Sequence, residues 1–223
     1  MEDLTHVPKW MLTIGGAHLE FNSETLIMSW IVMGVVIAFG FLASRRATFI
    51  PGPWQCLGEV VLDAFEGLVN DALDERNRKY FPLIVTLFLF IWVSNIIGII
   101  PGLSEPTKDL NTPLAYGVMG FFIAHYAGIK AKGFKAYASE YVQPMFFMAP
   151  LNIIGELSKV VSISFRLFGN IMGGTIIISV VSHLVYYLVL PPLLNAFFGL
   201  FVGTIQAFVF TMLTLVYISV QTK

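Results

Sequence analysis

Three charged side chains stand apart in the last third of the chain: between Met145 and Gln221 the only Asp, Glu, Lys or Arg residues are Glu156, Lys159 and Arg166. Glu156 and Lys159 are three apart, close enough on a helix to neutralise one another. Arg166 lies deeper in the apolar run. A guanidinium keeps its proton to a pH above about 12, so Arg166 can hold an anion ionised without itself passing a proton. Facing lipid at mid-membrane it would cost at least about 2.5 to 3.5 kcal/mol, so such a residue is driven towards a protein interior or a water-filled path. With Glu156 taken by Lys159, the anion for Arg166 is expected from another chain. The alternative is that Arg166 snorkels to an interface or lies on backbone carbonyls.

The neighbours of Arg166 favour the first reading. Asn170 shares its face at i,i+4, and Gly169 with Gly173 forms a small-xxx-small strip that lets another helix approach closely. Gln206 is a strongly polar residue amid Phe, Val and Leu of the last apolar stretch, so a polar pair from two helices is available beside the arginine; alternatively Gln206 makes only an interhelical hydrogen bond. Ser158, Ser162 and Ser164 could hydrate the path on one side of Arg166, though each can also bond back to its own helix. His6, His18, His125 and His183 show no i,i+4 pairing, and the single Cys56 excludes a disulfide within the chain and a cysteine-based metal site. Gly15-Gly16 and Pro51-Gly52-Pro53 are turn chemistry without a phosphate-loop pattern.

The elements that position these residues follow from composition. Of 223 residues 57% are hydrophobic and 12% charged, against about 25% charged in a soluble domain, so the chain reads as a membrane protein. A net charge of -1 gives no case for a nucleic-acid partner. Residues 1–25 form an external segment without the basic start of a secretory signal. A first span follows at 26–44. Residues 54–76 are expected to form an interfacial helix, with Trp54, Leu57, Val61, Phe65, Leu68 and Ala72 on one face and Glu59, Asp63, Glu66, Asn70 and Asp74 on another. Apolar runs from Phe81 to Pro101 and from Leu114 to Ile129, separated by a turn-rich segment, make a hairpin over 81–130.

From Met145 to Tyr187 there is no credible loop, and a helix of that length would be about 65 Å, roughly twice a bilayer core. It must bend around Gly169, Gly173 and Gly174 or lie strongly tilted. After Pro191-Pro192 a second long stretch, about Leu193 to Val220, closes a hairpin over 145–221. The predicted fold is therefore all-α membrane, one domain with about five embedded helices plus one interfacial helix, the last two long and tilted. Arg45, Arg46, Arg76, Arg78, Lys79, Lys130, Lys132, Lys135 and Lys223 fall on one side, which the positive-inside rule makes cytoplasmic; the N-terminus is then outside.

Ser164-Phe165-Arg166-Leu167-Phe168-Gly169-Asn170 resembles the arginine-bearing signature of subunit a of F-type rotary ATP synthases. The resemblance extends through Trp92-Val93-Ser94-Asn95 with Pro101, Asp109-Leu110-Asn111-Thr112, and Gln206-Ala207-Phe208 with Leu215-Val216-Tyr217. It implies a non-catalytic stator subunit of a bacterial inner membrane complex, without cofactor or metal, beside a ring of c subunits and the peripheral-stalk b subunits. Two aqueous half-channels would reach opposite faces. Arg166 would face the ring carboxylate, Asn170 and Gln206 would line the path, and Asn95 and Asp109 would be polar positions of the preceding hairpin. Lys159 and Ser162 would lie on the same path. The sequence departs from some relatives at Thr175, where they carry a glutamate, and at Gly199, where they carry histidine. Asp109, Glu156 and His183 are the candidates for rebuilding the outer relay. A self-contained cation-coupled transporter would instead require a carboxylate near Arg166 within the chain, and an intramembrane hydrolase a nucleophile and base that the sequence does not display.

Overall fold

The computed structural model describes residues 9–14, 17–45, 51–73, 75–100, 102–142, 147, 149–184 and 190–222. Of the residues named from the sequence, His6, Gly15, Gly16, Arg46, Asp74, Pro101, Met145, Tyr187 and Lys223 lie outside the described residues. Two antiparallel strands, β1 (Lys9–Ile14) and β2 (Ala17–Asn22), pair in register from Lys9–Asn22 to Ile14–Ala17. This hairpin adds a small sheet to the expected external segment. The rest is helical: α1 (Ser23–Ser44), α2 (Pro53–Ala72), α3 (Phe81–Ile96), α4 (Asn111–Lys132), α5 (Phe134–Val142), α6 (Ala149–Leu184), α7 (Leu190–Ala196) and α8 (Gly203–Thr222).

Among the described residues four helical stretches are long and apolar enough to cross a membrane, Ser23–Ser44, Asn77–Ile99, Ala149–Leu184 and Leu190–Thr222. α4 has the length, at 22 residues, but not the apolarity. Its inward row is Gly117, Gly120, Ala124 and Gly128, and it ends on Lys130 and Lys132. The small residues bring neighbours close: a Cβ at Gly120 would stand 3.3 Å from Thr214 of α8, and one at Gly117 would overlap the Ser164 hydroxyl of α6. Close approach substitutes for apolar bulk in packing such helices. Gly133, at φ +85, ends α4 in a conformation that favours glycine.

The core has two adjoining clusters. In one, Phe65 and Val69 of α2 meet Ile84 and Val85 of α3, Ala124 and Ala127 of α4, and Leu215 and Ile218 of α8. In the other, Leu87 and Ile91 of α3 meet Ile163, Leu167 and Ile171 of α6 and Ala207 and Phe210 of α8. The expected interfacial helix is thus half docked: Trp54 and Leu57 at its start are exposed, while Phe65 and Val69 near its end are buried. It stops at Ala72, short of the expected 76, and the basic segment Glu75–Tyr80 forms a separate turn of tighter helix.

α6 runs as one uninterrupted helix of 36 residues through Gly169, Gly173 and Gly174. Such a helix is about 54 Å long against a hydrocarbon core of about 30 Å. The following helix begins at Leu190, so Pro191 and Pro192, expected to precede it, occupy its first turn. Proline is accommodated there because the first-turn N–H groups have no helical partner. Between α7 and α8 the residues Phe197–Val202 widen into a π-helical turn.

Candidate functional site

Packing of one row sets the rotation of α6. Ile163, Leu167 and Ile171 recur at i,i+4 and are buried at 3%, 0% and 4% exposure, so the residues on the far side of the helix point away from the bundle. Arg166 is one of these and is exposed, together with Ser158, Ser162, Phe165 and Gly169. A Cβ built on Gly169 or on Gly173 meets nothing within 4 Å. Among the described residues no carboxylate lies within salt-bridge distance of Arg166. Glu156, the nearest acid in α6, is bonded to Lys159 at 2.6 Å, as its spacing indicates.

Asn170 stands at the edge of this outward face and donates from Nδ2 to Gln206 Oε1 at 2.8 Å, joining α6 to α8. Gln206 is 3% exposed, and its Nε2 has no acceptor among the described residues. A buried amide donor left unpaired is costly, so the site keeps one hydrogen-bond direction open beside the arginine. Ser164 is buried and bonds to Val160 O of its own helix and to Pro113 O of α4, the back-bonding alternative.

Asn95 does not meet Arg166. It is fully buried, accepts from Thr107 Oγ1 at 2.9 Å and donates to Gly203 O at 2.9 Å. Trp92 Nε1 donates to Thr204 Oγ1 beside it, so Trp92 and Asn95 fasten α3 to the start of α8. Asp109 belongs to the other end of the same connection. One oxygen accepts from Asn22 Nδ2 and Thr25 Oγ1 at the start of α1, and the other from the backbone and side chain of Asn111 at the start of α4. Glu24 accepts from Ser104 across the same gap. These contacts bring the start of α1 and the α3–α4 connection to one end of the bundle.

At that end lies an open cleft of about 720 Å³, bounded by Glu24 and Thr25 of α1, Glu105 and Asp109 of the connection, and Thr175 and Ser179 of α6. Glu105 and Glu24 escape a reading of the sequence because an acid in a turn-rich segment has the appearance of an ordinary solvated loop residue. The Glu105 carboxyl is pressed onto Gly98, where any Cβ would overlap it. Burial pushes its pKa above the usual carboxylate range, with its own backbone N–H and the charge of Lys108 acting the other way.

The structure does not bring Glu156 to this cleft. It lies ten residues before Arg166, and the cleft touches α6 only from Phe168 onwards, on the other side of the arginine. Glu156 and Lys159 instead border a small cavity of about 10 Å³ with His125 of α4 and Tyr217 of α8, about the room of one water. His183 is exposed one turn beyond Ser179, its Nδ1 2.8 Å from Ser179 O. Thr175 bonds back to Ile171 O. Gly199 lies in the π-helical turn with Ile99 against it, 2.7 Å from where a Cβ would be; a histidine at this position would require Ile99 to move.

Residues 26–219 match the family described as ATP synthase A chain. The chain is 40% identical over 196 residues to ATP synthase subunit a of Moorella thermoacetica, covering 88% of this chain and 89% of that protein. It is 37% identical over 224 residues to ATP synthase subunit a 2 of Syntrophotalea carbinolica, covering 95% and 94%. With ATP synthase subunit a of Geobacter sulfurreducens it shares 37% over 203 residues, covering 89% and 87%. With a match across nearly its whole length and these likenesses, the chain belongs to the ATP synthase A chain family.

Proposed function

We propose that the chain is the proton-translocating stator subunit of a rotary ATP synthase, in which Arg166 faces a carboxylate carried by a ring of c subunits. The observation that carries this reading is the outward arginine. A permanent cation stands on a glycine-lined helix face, open to close approach, with no anion of its own among the described residues. A passing ring carboxylate complements that charge. Arg166 holds it ionised, while its high proton affinity keeps it from relaying the proton, so protons cannot leak directly between the two sides. Asn170 and Gln206 supply the adjoining hydrogen bonds, with Gln206 Nε2 free to donate.

Two half-channels meet near this face. The cleft bounded by Thr175, Ser179 and Glu105 serves the outer one, and the α6 segment with Ser158, Ser162, Lys159 and Glu156 serves the inner one. Orientation follows from charge: Arg45, Arg78, Lys79, Lys130 and Lys132 belong to the end opposite the cleft, and the positive-inside rule makes that end cytoplasmic. The chain is then one multi-pass membrane domain in a bacterial plasma membrane, with α4 as a fifth embedded helix and α6 strongly inclined to fit the bilayer. The peripheral-stalk b subunits and the rest of the synthase are its partners, and ATP chemistry belongs to them.

The test is ATP-driven acidification of vesicles containing the assembled complex, comparing wild type with Arg166→Gln and Arg166→Lys. Both variants are expected to lose coupled pumping while the detached soluble part still hydrolyses ATP. Normal pumping by either would remove Arg166 from the mechanism.

A further inference from the structure

Among the described residues the cleft contains three carboxylates, and their hydrogen bonds divide them. Asp109 accepts on both oxygens, from Asn22, Thr25 and Asn111. Glu24 is bonded to Ser104. These two tie the ends of helices together, and protonating either would break a tie. Glu105 ties nothing. No side-chain donor among the described residues is hydrogen-bonded to it, and its carboxyl points inward onto Gly98. The glycine is what admits it, since any side chain at 98 would occupy the space of the carboxylate.

Glu105 is also where the cleft approaches the buried polar contacts. Two residues on, Thr107 is fully buried and donates to Asn95, which donates to Gly203 O at the head of α8, one turn before Gln206. Across the cleft the α6 wall is Phe168, Met172, Thr175 and Ser179, which contributes no titratable group. Among the described residues the other charged groups facing the cleft are Lys108, Asp109 and Glu24.

We propose that Glu105 is the proton-carrying residue of the outer cleft, taking the place of the acid absent at Thr175. This rests on the reading of the chain as a proton-translocating stator. In the direction of synthesis the Glu105 carboxylate takes a proton from water in the cleft and passes it inward to the deprotonated ring carboxylate through intervening water, so that one proton enters and one leaves per cycle and nothing is consumed. Burial suits Glu105 to this: with its pKa raised, it holds a proton at a pH where an ordinary carboxyl has already released it.

Proton-driven ATP synthesis in inverted vesicles, with the lumenal pH varied at constant total driving force, tests the assignment. In wild type the rate falls as lumenal pH rises through the Glu105 pKa. Glu105→Gln is expected to lower the rate about a hundred-fold, the lower end of the range for loss of a positioned proton-transfer group, and to abolish that limb of the profile. Glu105→Asp should restore most of the rate. A Glu105→Gln complex that assembles and shows the wild-type rate and limb overturns the assignment. Should Glu105→Gln fail to assemble, Glu105→Asp decides: a displaced limb supports the proposal, and an unmoved one defeats it. Arg166→Gln in the same assay separates the two claims. If it is inactive while Glu105→Gln equals wild type, only the Glu105 assignment falls; if it is active, the stator reading falls.

Discussion

α6 and α8 are long apolar helices packed on the same core, yet they place their polar side chains in opposite directions. On α8 these groups are turned inward and, Gln206 Nε2 excepted, committed: Thr211 and Thr214 bond back to Ala207 and Phe210, Ser219 to Ala72 O of α2, and Gln221 receives the Tyr137 hydroxyl. On α6 Ser158, Ser162 and Arg166 are exposed, and Gly169 beside them touches nothing across the helix. The difference separates two kinds of polarity in a membrane protein. Groups on α8 hold the bundle together, because in hydrocarbon each must find a partner inside the chain. On the proposed function, groups on the outward side of α6 are left for a surface that comes from elsewhere.

The glycines give the sharpest test of that contrast. Gly128 of α4 lies where a Cβ would stand 2.7 Å from the Tyr137 ring and 2.8 Å from Gln221 O. Gly128→Leu is expected to destabilise the chain by about 3 kcal/mol through overpacking, read as poor accumulation in membranes. Normal accumulation would show that the α4–α8 contact has room to spare. Gly169→Leu should do the reverse: the chain accumulates as wild type, but coupled pumping drops on the order of 10²-fold, the scale of misplacing reacting groups by about 1 Å. Full pumping by this variant would mean that nothing needs to approach the outward face.

Smaller effects probe the inward polarity. Asn95→Ala removes the acceptor of Thr107 and the donor to Gly203 O, and leaving them unpaired should cost about 2 kcal/mol. Thermal unfolding of the detergent-purified complex would register it, and an unchanged transition would make this connection dispensable. Tyr137→Phe deletes the 3.0 Å bond to Gln221 Oε1 and is expected to cost about 1 kcal/mol. Pumping should be unaffected; a pumping defect here would blur the division between holding and working groups.

Legibility in the sequence follows the same division. Apolar runs long enough to span need only counting, and Arg166 announces itself by the absence of other charge around it. The Glu156–Lys159 pair is readable because i,i+3 neighbours meet on any helix. Asn170 and Gln206, 36 residues apart, are readable only as a possible pair; the hydrogen bond between them requires α6 and α8 to pack side by side. Glu156 is misplaced towards the outer side because sequence order does not say which half of a long helix borders which cleft. The prolines at 191 and 192 resemble a break in sequence because their place in a first turn depends on where the helix begins.

The sequence by itself determined the membrane class, the approximate spans, the isolation of the arginine and the polar partners available to it. These are local properties, set by side-chain type and by the fixed rise and turn of a helix. Only the tertiary structure decided that Arg166 points outward, that Asp109 and Glu24 tie helix ends while Glu105 lies on Gly98, and that Ile99 closes the space beside Gly199. Those outcomes depend on the rotation of α6 about its axis and on loops meeting across the bundle, which are fixed by buried rows such as Ile163, Leu167 and Ile171 packing against other helices.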